Sequence, residues 1–353
     1  MKKFNYLIKL FFALAVIFSF SVTSQAAEKG IGYEVRPIFP STQIEQNRGY
    51  YYLQTEPGVK QKLEMSLLNT SDKPVTLELV IENAISTTNG NIDYTDDIKK
   101  IHESLVNPMT EILQPKTKEV KVKAGEEKIV NFELTPPEKS YDGLKMGRIL
   151  VKKKKEKDAK GINQEYQYAV GVITAESGKP FNDGDKLELN GEIEPNVVNG
   201  SKLVQGEIVN PTPKTIENLK VRSYVTKKGD KKRIKEKNID NFSFAPNSKV
   251  MYTIPWGLSN FETGEYTFYF TGSNDFESFE LKKDFKIRGE DAKKLNNEAA
   301  FSVGTPTKMI ILIVVLNALL LVLCGTIFVR NKKWVEELKT NKKRKSRKKV
   351  KTK

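Results

Sequence analysis

Lys62-Leu63-Glu64-Met65-Ser66-Leu67-Leu68-Asn69-Thr70-Ser71-Asp72-Lys73-Pro74-Val75-Thr76-Leu77-Glu78-Leu79-Val80-Ile81 decides the fold class. Leu63, Met65 and Leu67 alternate with Lys62, Glu64 and Ser66, and Leu77, Leu79 and Ile81 alternate again after the polar run at 69–74. A period of two puts the apolar side chains on one face of each strand. The turn residues between them predict a half-buried hairpin. Downstream, Val120 and Val122 lead into Ala124-Gly125-Glu126, after which Val130, Phe132 and Leu134 alternate with Asn131 and Glu133. Residues 96–113 have no clean period and predict an irregular excursion with a short helix. Gly143 and Gly147 frame a strand at 148–153, the charged stretch 152–160 reads as a solvated hairpin tip or hinge, and 166–174 is another strand.

A second series begins near Lys186. Residues 203–209 end at Asn210-Pro211; Leu219, Val221 and Val225 follow; Ala245-Pro246-Asn247-Ser248 turns into 250–254. Gly264-Glu265 then starts Tyr266, Phe268 and Phe270, and Phe285 and Ile287 close the series. The order of events repeats the first half, and short strands at this spacing favour sandwiches. The expectation is a mainly β chain of two tandem immunoglobulin-like β-sandwich domains, at 27–157 and 158–288.

The ends carry a different code. Lys2, Lys3 and Lys9 precede an apolar run at 10–22 and the small-residue site Ser24-Gln25-Ala26, the pattern of a signal peptide removed at 1–26. Residues 309–329 hold no charge and are long enough to cross a hydrocarbon core of about 30 Å. They are read as one C-terminal transmembrane helix, joined to the second sandwich by a polar stalk at 289–308.

The net charge is +15. The tail at 330–353 holds thirteen Lys and Arg against Glu336 and Glu337, a net of +11, and 1–26 holds +3, which leaves +1 for everything between. Positive charge beside a transmembrane helix marks the cytoplasmic side and attracts anionic lipid. It is therefore a sign of topology, and no nucleic-acid partner is expected, because no recognition module accompanies it. The single cysteine, Cys324, lies inside the apolar run. The extracellular part thus has no disulfide, unlike most secreted eukaryotic domains, and its cores must stand on burial alone.

Catalytic chemistry finds no footing. His102 is the only histidine and anchors neither a metal cluster nor a serine triad. Phosphate-binding and nucleophile-elbow motifs are absent. No enzyme activity, cofactor or metal is expected. Candidate ligand contacts are Tyr50 and Tyr52, which share one strand face with Tyr51 on the other, and Asn89 and Asp93 in Asn89-Gly90-Asn91-Ile92-Asp93. That oxygen-rich run is more simply a tight turn than a calcium loop.

Together these residues resemble the WxL-interacting proteins of Gram-positive bacteria over nearly the whole chain. Tyr33-x-Val35-x-Pro37-x-x-Pro40, Tyr51-Tyr52-Leu53 leading to Pro57-Gly58, Thr88-Asn89-Gly90-x-Ile92-x-Tyr94, and Gly143 with Gly147 look like that family's first domain, described as peptidoglycan-binding. Asn210-Pro211, Ala245-Pro246-Asn247-Ser248 and Gly264-Glu265-Tyr266 look like its second, described as host-binding. One departure is that Phe276 and Phe279 stand where the family pattern leads one to expect a Trp. The resemblance implies a non-enzymatic surface protein at the cell membrane and wall, with peptidoglycan, a WxL-domain surface protein and a host matrix protein as partners. The rival reading is a membrane-held assembly chaperone or structural dock for a secreted surface protein.

Overall fold

The computed structural model describes residues 31–154, 166–301 and 307–350. The expected signal peptide at 1–26 and most of the charged stretch at 152–160 lie outside them. The first half folds as β1 (Glu34–Ile38), β2 (Tyr51–Gln54), β3 (Gln61–Leu68), β4 (Val75–Ser86), β5 (Ile92–Thr95), the single turn α1 (Met109–Ile112), β6 (Leu113–Pro115), β7 (Glu119–Val122), β8 (Glu127–Leu134), β9 (Lys145–Lys153) and β10 (Gln167–Ala175). One sheet runs β1-β3-β8-β6 and the other β2-β10-β9-β4-β5, with β7 also on β4. β10 pairs with β9 and, in parallel, with β2, although it follows the boundary expected at 157.

The predicted hairpin at 62–81 does not form. β3 pairs with β1 and β8, and β4 with β5, β7 and β9, so the two strands belong to opposite sheets. Leu63, Met65 and Leu67 bury alongside Leu77, Leu79 and Ile81 in one core with Tyr51, Phe132, Ile149 and Val151. Alternation reports which face is buried and is silent on which strand pairs. The reason for the crossing is Asn69, which has no exposed surface. Its Nδ2 donates to the carbonyls of Lys73 (2.8 Å), Val122 (3.1 Å) and Lys123 (3.0 Å), while its Oδ1 accepts from Ser71 N (3.0 Å) and Ser71 Oγ (2.6 Å). The corner is thereby tied to the β7 end, and the chain steps from one sheet to the other.

The second half repeats the device. β11 (Glu188–Val198), β12 (Ser201–Asn210) and β15 (Ser248–Pro255) make one sheet in the order β11-β12-β15. β13 (Ile216–Lys227), β14 (Arg233–Phe244), β16 (Gly264–Ser273) and β17 (Ser278–Ile287) make the other, in the order β14-β13-β16-β17. Asn210, fully buried at the crossing between β12 and β13, donates to Lys214 O (2.8 Å) and Ala245 O (2.9 Å) and accepts from Thr212 N (3.1 Å) and Thr212 Oγ1 (2.7 Å). Tyr252 centres an aromatic core with Phe242, Phe268 and Phe270. Burial pushes its phenol up to about 12, and the hydroxyl is satisfied by Ser223 Oγ at 2.8 Å.

Residues of both sandwiches belong to one compact unit. Ser86 Oγ, at the end of β4, lies 2.5 Å from Ser248 Oγ and accepts from Ala245 N (2.9 Å). Gly90 O accepts from Ser243 N (2.8 Å), and a Cβ on Gly90, whose φ is +87°, would strike the Phe242 ring. Leu144 N donates to Pro213 O (2.6 Å), and a Cβ on Gly143 would collide with Pro213. Residues of 86–90, 143–144, 210–213 and 245–248, among them the motif residues Gly90, Gly143, Asn210-Pro211 and Ala245-Pro246-Asn247-Ser248, therefore meet at one seam.

A second, smaller unit comprises Asn196–Leu203, Trp256–Thr263 and the chain from Ile287. Here the segment expected as a stalk begins as a helix, α2 (Gly289–Glu298). Asn296 of α2 pairs with both backbone groups of Phe261, accepting from N (2.8 Å) and donating to O (3.0 Å). α3 (Thr307–Val350) carries the apolar run, long and apolar enough at Lys308–Glu336 to cross a membrane. Its large side chains are exposed, Leu321 at 73 %, and Asn317 satisfies its amide on Ile313 O (2.8 Å) within the helix.

Asn69→Ala removes the donor to three carbonyls, of which Val122 O is buried, and should destabilise the fragment 28–305 by about 1–3 kcal/mol, whereas the exposed Thr70→Ala should change it by less than about 0.5 kcal/mol. Urea titration followed by circular dichroism reads both.

Candidate binding surface

The sheet β2-β10-β9-β4-β5 has an outer face as well as a core face. Tyr51 points to the core, and its hydroxyl donates to Glu64 O (2.5 Å). Tyr50 and Tyr52 turn outward together, as the period of two predicts, against a small cluster of Leu144, Ala175 and Phe181. Tyr52 is nevertheless buried, its hydroxyl donating to Lys179 O (2.9 Å), and burial raises its pKa. Tyr50 stays half-buried, with the Arg48 guanidinium 5.8 Å from its ring centre and Arg48 held by Glu45 at 2.7 Å.

Strand register extends a row from Tyr50 across the sheet. Gly171 of β10 lies beside Tyr50, so that a Cβ there would sit 3.4 Å from the tyrosine Cβ. Gly171 is opposite Arg148 of β9, and Arg148 is opposite Glu82 of β4. Arg148 pairs closely with Glu82 through Nε and lies 4.8 Å from the ring centre of Tyr94 on β5. Asp93 adds a longer contact, 3.9 Å from Arg148. Burial raises the Tyr94 pKa, with Arg148 pulling it the other way and Asp93 and Tyr50 reinforcing the rise. The phenol thus stays protonated at neutral pH.

Of the four sequence candidates, the structure brings Tyr50 and Asp93 to this row, and Tyr52 sits underneath its end. Asn89 is placed elsewhere: it forms the β4–β5 turn, accepting from Thr87 Oγ1 (2.5 Å), beside the seam made by Gly90. Arg148, Tyr94, Glu82 and Gly171 were missed. Their signal was present as a lone arginine in an apolar strand and a lone glycine in another, which marks a close approach. His102 lies in a loop against Ser104 (2.9 Å). Among the described residues no group of three His, Cys, Asp or Glu is placed to hold a metal. The row offers a ring, a guanidinium and a second ring on a flat face, a chemistry of contact.

The geometry finds its context in two family matches. Residues 33–153 match the peptidoglycan binding domain of WxL Interacting Protein, and residues 157–297 match its host binding domain. The chain belongs to the WxL-interacting protein family. Both matching models describe binding domains, in the order expected from the motifs. The row lies almost wholly in the first match, while Gly171 on β10 falls in the second. No curated protein matches the chain in sequence.

Similar solved structures include the chaperone DraB of E. coli, at 14% identity over 72% of this chain and 98% of that one, TM-score 0.28. Another is a chain of the CsuC-CsuE chaperone-tip adhesion subunit complex of Acinetobacter baumannii, at 13% over 71% and 97%, TM-score 0.30. Superpositions this loose leave the functional argument to the family matches and the site.

Removing Arg148 leaves Glu82, its side chain only 12% exposed, without its cation. Arg148→Met should cost about 2–4 kcal/mol, and Glu82→Gln in the same chain should restore a good part of it. A double-mutant cycle in urea measures the coupling.

Proposed function

We propose that the chain is a non-enzymatic binding protein of the bacterial surface. The first sandwich attaches to peptidoglycan, or to a WxL-type protein held there, through the outer-face row around Tyr50, Arg148 and Tyr94. The second sandwich presents a surface to a host or partner ligand. α3 anchors the chain in the membrane, with its basic end among anionic lipids on the cytoplasmic side. Tyr50 and Asp93 serve the wall contact, Tyr52 supports Tyr50 from the buried cluster beneath it, and Asn89 serves the turn that meets the second sandwich. The observation that carries the reading is the order of the two family matches ahead of an apolar helix whose side chains are exposed.

The seam bears on how such a protein works. Contacts between the two sandwiches through Ser86, Gly90 and Gly143 would couple a ligand-presenting surface to the wall contact.

The full chain in mild detergent should sediment with purified Gram-positive sacculi. Tyr50→Ala or Tyr94→Ala should weaken retention about tenfold, the loss of about 1.4 kcal/mol expected for truncating one aromatic contact. Absence of wild-type retention would overturn the wall-binding part of the reading.

A further inference from the structure

The end of the sheet β14-β13-β16-β17 carries an open polar cleft of about 390 Å³, lined by Asn182, Asn218, Asn241, Lys220, Asp275 and Phe276 with their neighbours. Its walls come from an irregular stretch of β13 and β14. Pairing shifts twice in succession, between Ile216 and Leu219 and again between Leu219 and Val221. Asn218 and Asn241 sit in these two bulges in the left-handed region, φ 56° and 61°. Such backbone is uncommon for a residue with a side chain, and bulges re-aim side chains at rims and sites. Here they turn two carboxamides toward one opening. Among the described residues, the side chains of Asn182, Asn218 and Asn241 have no hydrogen-bond partner and Lys220 has no ion pair.

The opposite lip is rigid. Asn274 Oδ1 accepts from Phe276 N (3.0 Å) and Glu277 N (2.9 Å), and its Nδ2 donates to Glu217 O (3.0 Å). This turn holds Phe276 with 55% of its surface exposed. The tyrosines nearby on the same sheet are not available in this way. Tyr224 and Tyr269 stack at 4.6 Å, with Arg233 over the outer face of one and Lys282 over the other. Phe276 is the aromatic face at the cleft left without a ring or cation partner among the described residues.

We propose that this cleft binds a neutral oligosaccharide, with Phe276 against the apolar face of a sugar ring and Asn218, Asn241 and Asn182 bonding its hydroxyls. A carboxamide donates and accepts side by side, as vicinal hydroxyls require, and a small number of placed polar groups around one apolar contact is the form of such sites. Lys220 shares the lining with Glu217 and Asp275, so the cleft has no excess of positive charge to select a polyanion. The predominantly polar lining, with Phe276 as its one large apolar side chain, speaks against a lipid or an amphipathic helix. This deepens, and rests on, the reading of the second sandwich as a ligand-presenting domain.

The test is calorimetric titration of the full chain in detergent with lacto-N-neotetraose, maltotetraose and a heparin tetrasaccharide. At least one neutral probe should bind with a Kd of about 0.1–1 mM, and more tightly than the heparin probe. Phe276→Ala, and separately Asn218→Gly with Asn241→Gly, should each weaken it at least tenfold. Glycine accepts the left-handed backbone, so the second variant removes the amides and keeps the fold. Failure of both neutral probes to bind, stronger binding of heparin, or unchanged affinity in the variants overturns the proposal. Sacculus sedimentation of the same variants separates the two readings: retention unchanged with sugar binding lost places the glycan site on the second sandwich alone, whereas loss of both overturns its independence.

Discussion

The buried amide of Asn210 shapes the loop on which both sandwiches close. It fixes residues 210–214 by bonding Lys214 O and Thr212, and it reaches across to Ala245 O. The loop so held then receives Asn247, whose N and Nδ2 donate to Thr212 O and Pro211 O, and Leu144 of the other sandwich, whose N donates to Pro213 O. Without the amide, the carbonyls of Lys214 and Ala245 lose a donor, at about 1–3 kcal/mol for the buried one, and the loop loses what shapes it. Asn69 makes the same kind of bonds at the equivalent corner of the first sandwich, to Lys73 O, Val122 O, Lys123 O and Ser71.

Much of this was legible. The alternation of Leu63, Met65, Leu67 and of Tyr266, Phe268, Phe270 located buried faces correctly, and all six are buried. Pairing partners were not legible, because an apolar period fixes a face and says nothing about which edge a strand joins. β14 escaped notice because Arg233-Ile234-Lys235-Glu236-Lys237 looks solvated, yet Lys237 holds its ammonium 4.6 Å from the Tyr252 ring centre and donates to Thr253 O. α2 escaped because what holds it, the Asn296 amide on Phe261 and the small buried Ala292, makes no apolar stripe to announce it.

The motif residues illustrate a separate limit. Thr88-Asn89-Gly90 and Gly143 can be picked out in a sequence, but their type does not distinguish ligand contact from chain contact. Gly90 and Gly143 are small because Phe242 and Pro213 occupy the space a side chain would take. The outer-face row was visible only in part, since Tyr50 is conspicuous and Arg148 becomes meaningful once register sets it between Gly171 and Glu82.

The central claim is that the two sandwiches are clasped at this seam. Ser86 and Ser248, whose hydroxyl oxygens lie 2.5 Å apart, report on it directly. In the fragment 28–305, which lacks Cys324, the pair Ser86→Cys and Ser248→Cys should close to a disulfide on mild oxidation of the folded protein, leaving no thiol to react with a maleimide. Two thiols that remain fully reactive under those conditions, with the fold intact by circular dichroism, would contradict the clasp.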